Sequence, residues 1–130
     1  MIVVDTSAVV AIILHEPEAR SFADALVDDD APTISALTLH ESRIVLNART
    51  GERGLGELVT LIIRSGMTAV AFDERQSELA FDAYRRYGKG NHPAGLDFAD
   101  CAAYALAKSL DVPLLFKGAD FARTDVRPAA

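Results

Sequence analysis

The residues best suited to chemistry in this chain of 130 residues are carboxylates from four separate segments of the sequence. Each lies just after a predicted strand or in the first turns of a predicted helix, and they are Asp5, Glu41, Asp97, Asp100 and Asp120. The strand ends of a parallel sheet meet at one edge, which is where ligands bind in open α/β proteins. We therefore expect these five side chains to converge at that edge.

Four or five carboxylates in one dry cleft could not all stay ionised, because like-charge repulsion raises the pKa of each. A divalent cation removes this conflict, and oxygen ligands without a His or Cys cluster favour Mg²⁺ or Mn²⁺ over Zn²⁺. Such a cation activates water and binds an anionic phosphodiester. Hydrolysis of phosphodiester bonds is therefore the chemistry that the acidic set predicts.

The first of these acids is positioned by the opening of the chain. The β-branched run Ile2-Val3-Val4 is typical of a strand buried on both faces of a parallel sheet, so we expect it to be central. Asp5 ends this strand, and Thr6 or Ser7 is the expected N-cap of a helix over residues 8–14. The plain alternative for Asp5 is a turn residue or a helix cap.

The second acid lies in a predicted helix over residues 36–49. Glu41 is on roughly the same face as Ile44 and Val45, and an ionised carboxylate beside core residues is costly unless it has a partner. A capping box with Thr38 as N-cap and Glu41 three residues later is the structural alternative. The sequence favours neither interpretation of Glu41.

Two more acids open an almost wholly apolar helix over residues 96–107. Asp97 and Asp100 are three residues apart, so both carboxylates lie on one side of the helix. Helix capping explains Asp97 well. It explains Asp100 less well, because Asp100 shares its face with Ala103 and Tyr104 and is expected against packed structure.

Strands alternate with helices along the chain, which predicts one α/β domain over residues 1–130. We expect three layers, in which helices flank a parallel sheet of four or five strands. Candidate strands are residues 2–4, 32–35, 68–72 and 114–116, with a last short strand near 124–126. A helical hairpin is expected between residues 36 and 65, and it carries four arginines, Arg43, Arg49, Arg53 and Arg64. They form the best basic patch for phosphate contact, and the alternative is that they are simply solvated side chains.

Composition sets wider limits on function. The formal net charge of −6 argues against a protein that holds nucleic acid by its overall field, although bound cations would offset the acidic centre. Cys101 is the only cysteine, which excludes an internal disulfide and a multi-cysteine zinc site. The start has no basic leader, and no apolar run approaches the roughly 18 residues of a membrane span. We expect a soluble, cytoplasmic protein.

The ordered acidic segments resemble a known family. They are Ile-Val-Val-Asp5-Thr-Ser-Ala, Thr-Leu-His-Glu41-Ser-Arg, Leu-Asp-Phe-Ala-Asp100-Cys-Ala-Ala-Tyr, and Leu-Leu-Phe-Lys-Gly-Ala-Asp120-Phe. Together they span nearly the whole chain and resemble a PIN-domain ribonuclease of the VapC toxin type, from bacterial toxin–antitoxin pairs.

This resemblance implies an Mg²⁺-dependent endoribonuclease that forms a homodimer and is inhibited by a cognate VapB-like antitoxin. Three acids then correspond to the metal ligands of the family, namely Asp5, Glu41 and Asp100. Asp120 matches a fourth acid approximately, and Asp97 is a supplementary ligand or a residue that supports the ligands. The hydroxyl of Thr6 or Ser7 is expected to order a metal-bound water.

Other classes of protein also gather acids at strand ends. A phosphoacceptor receiver domain places a Lys after a late strand, as Lys117 is placed here, but it needs paired acids after its first strand. A haloacid-dehalogenase-like phosphatase needs a second Asp where Ser7 stands. A third alternative is a PIN fold without activity that only binds a partner.

Overall fold

The computed structural model describes residues 1–130 as a parallel four-stranded sheet between helices, which confirms the predicted α/β class. The strands are β1 (Ile2–Val4), β2 (Pro32–Ser35), β3 (Thr68–Val70) and β4 (Leu114–Leu115). Their order across the sheet is β3-β2-β1-β4, and every pairing is parallel. The opening strand is therefore central, as its unbroken apolar run predicts.

Six α-helices connect and cover the strands. They are α1 (Thr6–Ile13), α2 (Ala19–Asp28), α3 (Ala36–Thr50), α4 (Glu52–Ser65), α5 (Glu74–Tyr87) and α6 (Phe98–Leu110), followed by a 3₁₀ turn at Phe121–Arg123. No helix is both long enough and apolar enough to cross a bilayer. Helices α3 and α4 form the predicted hairpin, in which Gly51 joins them with a φ of 62° that favours glycine.

The core has two halves, one on each face of the sheet. Successive strand residues point to opposite faces, so Val4 packs in the half formed with α1, α2 and α4. Val3 packs in the other half, which includes Leu106 of α6 and Leu114 of β4. Because β1 is covered on both faces, it holds the residue that follows it in a fixed place.

Several details differ from the sequence prediction, including β4, which ends at Leu115 rather than residue 116, and α6, which begins at Phe98 rather than residue 96. Helix α1 begins at Thr6, so its N-cap is Asp5 itself and not Thr6 or Ser7. Strand β3 ends at Val70, two residues before the predicted end at residue 72. Residues 124–126 do not form a strand; instead the backbone beyond them pairs with β4, where the Leu114 N–H donates to the Arg127 carbonyl at 2.8 Å.

Candidate active site

A cleft of about 450 Å³ opens at the carboxyl end of β1, between α1, α3, the start of α6 and the loop after β4. It is lined by Asp5, Thr6, Ser7, Val10, Glu16, Glu41, Val45, Arg49, Asp100, Lys117 and Gly118. The structure thus brings together three of the five predicted acids from three separate segments of the chain. They are Asp5 from the end of β1, Glu41 from α3 and Asp100 from α6.

Asp5 is the most buried of these acids, with 3% of its surface exposed. Its Oδ2 accepts hydrogen bonds from the Ser7 N–H at 2.9 Å and the Ser7 hydroxyl at 2.6 Å. Its Oδ1 is buried and has no hydrogen-bond partner. Burial raises the pKa of Asp5 above its usual value, and the Ser7 hydrogen bonds only partly oppose that rise. Asp5 is therefore both a helix cap and a carboxylate with one unused oxygen.

Ser7 connects Asp5 to the loop after β4. Its hydroxyl donates to Asp5 and accepts a hydrogen bond from the Lys117 N–H at 3.0 Å. Because a hydroxyl has one proton, the Ser7 proton is committed to the carboxylate. The arrangement fixes the orientation of Asp5, which is a different role from the predicted ordering of water.

Glu41 is half-buried on the second turn of α3, and the capping-box alternative for it is wrong. The N-cap of α3 is Ser35, whose hydroxyl accepts from the Leu37 N–H at 3.2 Å. Thr38 lies inside the helix and is fully buried. Burial raises the pKa of Glu41, a hydrogen bond from Thr6 lowers it, and the charge of Asp5 raises it further.

Thr6, the first residue of α1, lies against α3. Its hydroxyl lies 3.3 Å from the Thr38 carbonyl and 3.4 Å from the Ser42 hydroxyl, which donates its own proton to the Thr38 carbonyl at 2.8 Å. The single Thr6 proton can go either to the Thr38 carbonyl or to Glu41. Thr6 therefore lies where it can support Glu41, while a role in ordering water stays a prediction.

Asp97 and Asp100 form a reciprocal capping box at the start of α6. The Asp97 N–H donates to Asp100 Oδ2 at 3.0 Å, and the Asp100 N–H donates to Asp97 Oδ1 at 2.8 Å. Both acids therefore cap the helix, although the sequence pattern favours that role for Asp97 alone. Only Asp100 lines the cleft, and its surroundings raise its pKa to about 7, chiefly through burial and also through the charges of Asp5, Asp97 and Glu41.

Asp120 does not reach the cleft. It is exposed and precedes the 3₁₀ turn, whereas Lys117 and Gly118 of the same loop line the cleft. Asp97 likewise lies outside the lining. A direct ligand role for either acid stays a prediction that the geometry does not support.

Sequence reasoning missed one further acid, Glu16, which lies in the loop after α1 and lines the cleft. Its Oε1 is 3.3 Å from the Lys117 ammonium group, which is also 3.2 Å from Glu18 Oε2. Glu16 stands just before Pro17, a pattern typical of a helix start rather than of a site. Its lysine partner is about a hundred positions away in the chain, so no local pattern identifies the pair.

The donor chemistry of the cleft fits a hard divalent cation. Its acids supply oxygen only, and Asp5 Oδ1 is a buried acceptor without a donor. No three His, Cys, Asp or Glu side chains stand close enough together to enclose an ion. Mg²⁺ does not require such a cage, because it is usually held by one or two carboxylates and keeps several of its waters. The lack of a larger cage therefore does not argue against Mg²⁺ at Asp5, Glu41 and Asp100.

The parallel sheet and the cleft at its carboxyl edge define an α/β protein with an acidic site. A model of the PIN domain matches residues 2–127. The chain is 48% identical over 124 residues to a ribonuclease VapC of Mycolicibacterium smegmatis, covering 95% of this chain and 96% of that protein. It is 44% identical over 128 residues to ribonuclease VapC30 of Mycobacterium tuberculosis, covering 98% of each. The chain therefore belongs to the PIN domain family.

Solved structures agree on the fold. The crystal structure of Mycobacterium tuberculosis VapC20, a toxin that cleaves the sarcin-ricin loop, superposes with a TM-score of 0.76 at 18% identity and covers 98% of this chain and 100% of that one. A toxin–antitoxin complex from Klebsiella pneumoniae gives a TM-score of 0.71 at 17% identity, over 96% and 93% of the two chains. The expected resemblance to VapC-type PIN domains is confirmed.

Proposed function

We propose that this protein is an Mg²⁺-dependent endoribonuclease and the toxin of a VapBC-type toxin–antitoxin pair, acting in the cytoplasm. The observation that carries the proposal is the meeting of Asp5, Glu41 and Asp100 in one cleft from three distant segments. The names of the relatives support ribonuclease activity, since similarity at 48% and 44% identity extends over nearly the whole chain.

The residues of the cleft have separate tasks in this reaction. Asp5 offers Oδ1 to the cation, because Ser7 holds Oδ2 and fixes the carboxylate. The Asp97 N–H holds Oδ2 of Asp100, so Asp97 orients Asp100 through the backbone. Glu41 supplies a third carboxylate, supported by Thr6. When bound, Mg²⁺ or Mn²⁺ would supply an activated water and positive charge for the phosphodiester.

The Asp5→Asn variant gives the direct test of the proposed activity. Asparagine is as good an N-cap as aspartate, so α1 should form normally while the charge is lost. We expect the wild type to cut unstructured or structured RNA with Mg²⁺ but not with EDTA. The variant should cut at least about 1,000-fold more slowly, with a melting temperature in EDTA no lower than that of the wild type. Equal cutting by both proteins would exclude Asp5 from the reaction.

The receiver-domain alternative does not fit the fold. Doubly wound domains of that kind have the strand order 2-1-3-4-5, whereas this sheet runs β3-β2-β1-β4. The Lys117 ammonium group pairs with Glu16 and Glu18 rather than with Asp5. A receiver would take up phosphate from acetyl phosphate without cutting RNA, so the same RNA assay separates the two functions.

We further propose that the chain forms a homodimer and binds a VapB-like antitoxin that blocks the cleft. The solved toxin–antitoxin complex of the same fold supports the second partner. Light scattering of the purified chain measures its oligomeric state. Co-expression with the gene product encoded beside it shows whether a neighbouring protein binds the toxin and stops RNA cleavage.

A further inference from the structure

Two basic side chains, Arg49 and Lys117, lie in the wall of the acidic cleft, and their surroundings differ. The Lys117 ammonium group lies between the carboxylates of Glu16 and Glu18 at 3.3 and 3.2 Å. Its charge is therefore already balanced by two acids. The contact of Lys117 that reaches the active centre comes from its backbone N–H, which holds Ser7.

Arg49 is exposed in the last turn of α3 and takes part in none of the ion pairs or side-chain hydrogen bonds of the chain. Arg53, by contrast, lies on α4 and pairs with Glu57 at 3.0 Å. The guanidinium group of Arg49 thus keeps all of its donors free. A planar fork of free donors is suited to a phosphate group.

The position of Arg49 follows from helical spacing. Glu41, Val45 and Arg49 are four residues apart and all three line the cleft, so they form one row along α3. At a rise of about 1.5 Å per residue, the Cα of Arg49 lies about 12 Å along the axis from that of Glu41. Arg49 therefore stands beside the acidic centre rather than in it.

From this arrangement we propose that Arg49 binds a backbone phosphate of the RNA that neighbours the phosphodiester to be cut. The inference rests on the proposed ribonuclease function and names a residue that binds the substrate. An acidic cleft repels a polyanion except where cations balance it, and Arg49 is the one unpaired cationic side chain in this wall. Its contact is the same before and during cleavage, so it contributes to binding and leaves the chemical step unchanged.

Arg43 provides a matched control for the test. It is an exposed arginine of the same helix, but it lies two residues from Glu41 and so points away from the row that lines the cleft. Arg43→Ala and Arg49→Ala make the same change in net charge. A difference in KM or Kd between the two variants therefore arises from the position of the arginine and not from the change in net charge.

We would measure cleavage of an unstructured oligoribonucleotide with Mg²⁺ by the wild type and both variants. For Arg49→Ala we expect KM to rise about tenfold, the size of one charge-assisted hydrogen-bonded contact, with kcat within about twofold of the wild type. The dependence of log kcat/KM on log salt should become shallower by about 0.7, as for one lost phosphate contact on a single strand. Arg43→Ala should leave KM within about twofold.

Binding of the same oligoribonucleotide, labelled with fluorescein, should be repeated in the Asp5→Asn background. This anisotropy measurement needs no cleavage, so it tests Arg49 even if the wild type cuts nothing. An inactive wild type would overturn the ribonuclease proposal. Equal Kd values for the Arg49→Ala and Arg43→Ala proteins, or a loss confined to kcat, would overturn the role of Arg49 while leaving the ribonuclease function in place.

Discussion

Two acidic regions of this molecule use aspartate in opposite ways. In the cleft, Asp5 Oδ1 has no partner, and burial raises the pKa of Asp5. At the C-terminal end, Asp125 accepts a hydrogen bond from the Tyr104 hydroxyl and lies 3.4 Å from Lys108 and 3.7 Å from Arg86. Burial would raise the pKa of Asp125 as well, but these partners lower it. The aspartate of the cleft thus keeps one oxygen without a partner and forms no ion pair, whereas the aspartate at the C-terminal end pairs with two cationic side chains.

The difference separates acids that stabilise the fold from acids that the fold leaves without a cationic partner, so that they can bind a ligand. Asp125 ties the end of the chain to α5 and α6, so its charge stabilises the folded protein. The cleft acids gain nothing comparable from the protein, and their ionisation lowers the free energy of unfolding. A bound cation would offset this loss of stability. The contrast between the two regions can therefore be tested by mutation, by changing the pH and by adding metal.

The largest expected effect comes from neutralising one acid of each region. Asp100→Asn keeps an acceptor for the Asp97 N–H and should fold, but we expect at least about a 1,000-fold loss of RNA cleavage because a cation ligand is gone. Asp125→Asn should keep its activity and lose about 1 kcal/mol of stability, since Lys108 and Arg86 lose their counter-charge. Cleavage assays and thermal unfolding of both variants measure the contrast.

Loss of activity in Asp125→Asn at an unchanged melting temperature would show that the C-terminal cluster takes part in the reaction. Full activity in Asp100→Asn would show that the raised pKa of Asp100 marks no function. Either result would remove the distinction between the two regions.

A smaller effect is expected in the pH dependence of stability, measured in EDTA. The pKa of Asp100 rises from the ordinary 3.8 to about 7 on folding, so the folded state binds the proton more tightly than the unfolded state does. Stability from this group is full below pH 3.8 and is lost as the pH rises toward 7. Asp100→Asn should therefore match the wild type at low pH and melt a few degrees higher at pH 7.5.

Other groups titrate over the same range, so the difference between the two melting temperatures is the relevant quantity. Adding Mg²⁺ at pH 7.5 should raise the melting temperature of the wild type and so reduce the difference between the two proteins. A constant difference from pH 4 to 7.5 would contradict the unfavourable ionisation of Asp100.

The sequence predicts those parts of the site that depend on local pattern. Ile2-Val3-Val4 predicts the central strand, and its end fixes Asp5 at the sheet edge. Helical spacing places Asp100 at the start of α6, and the order of the sheet brings both acids together. Their convergence is predictable because parallel strands share one carboxyl edge.

Features that depend on contacts between distant residues cannot be predicted from the local sequence pattern. Asp120 follows β4 as Asp5 follows β1, yet the loop turns so that Lys117 and Gly118 reach the cleft and Asp120 does not. The backbone path of that loop depends on its hydrogen bond to Ser7, a residue of the first helix. Asp125 falls in the short strand predicted near residues 124–126, whereas its partner Tyr104 lies 21 residues away. Single-sequence reasoning sees none of these contacts.

Binding of a divalent cation is the central claim, and calorimetric titration of the metal-stripped protein with Mn²⁺ at pH 7.5 tests it most directly. We predict saturable Mn²⁺ binding by the wild type and by Asp125→Asn. The Asp5→Asn and Asp100→Asn proteins should show no heat of binding. No binding to the wild type, or equal binding to the Asp5→Asn protein, would contradict the assignment of the cleft as the metal site.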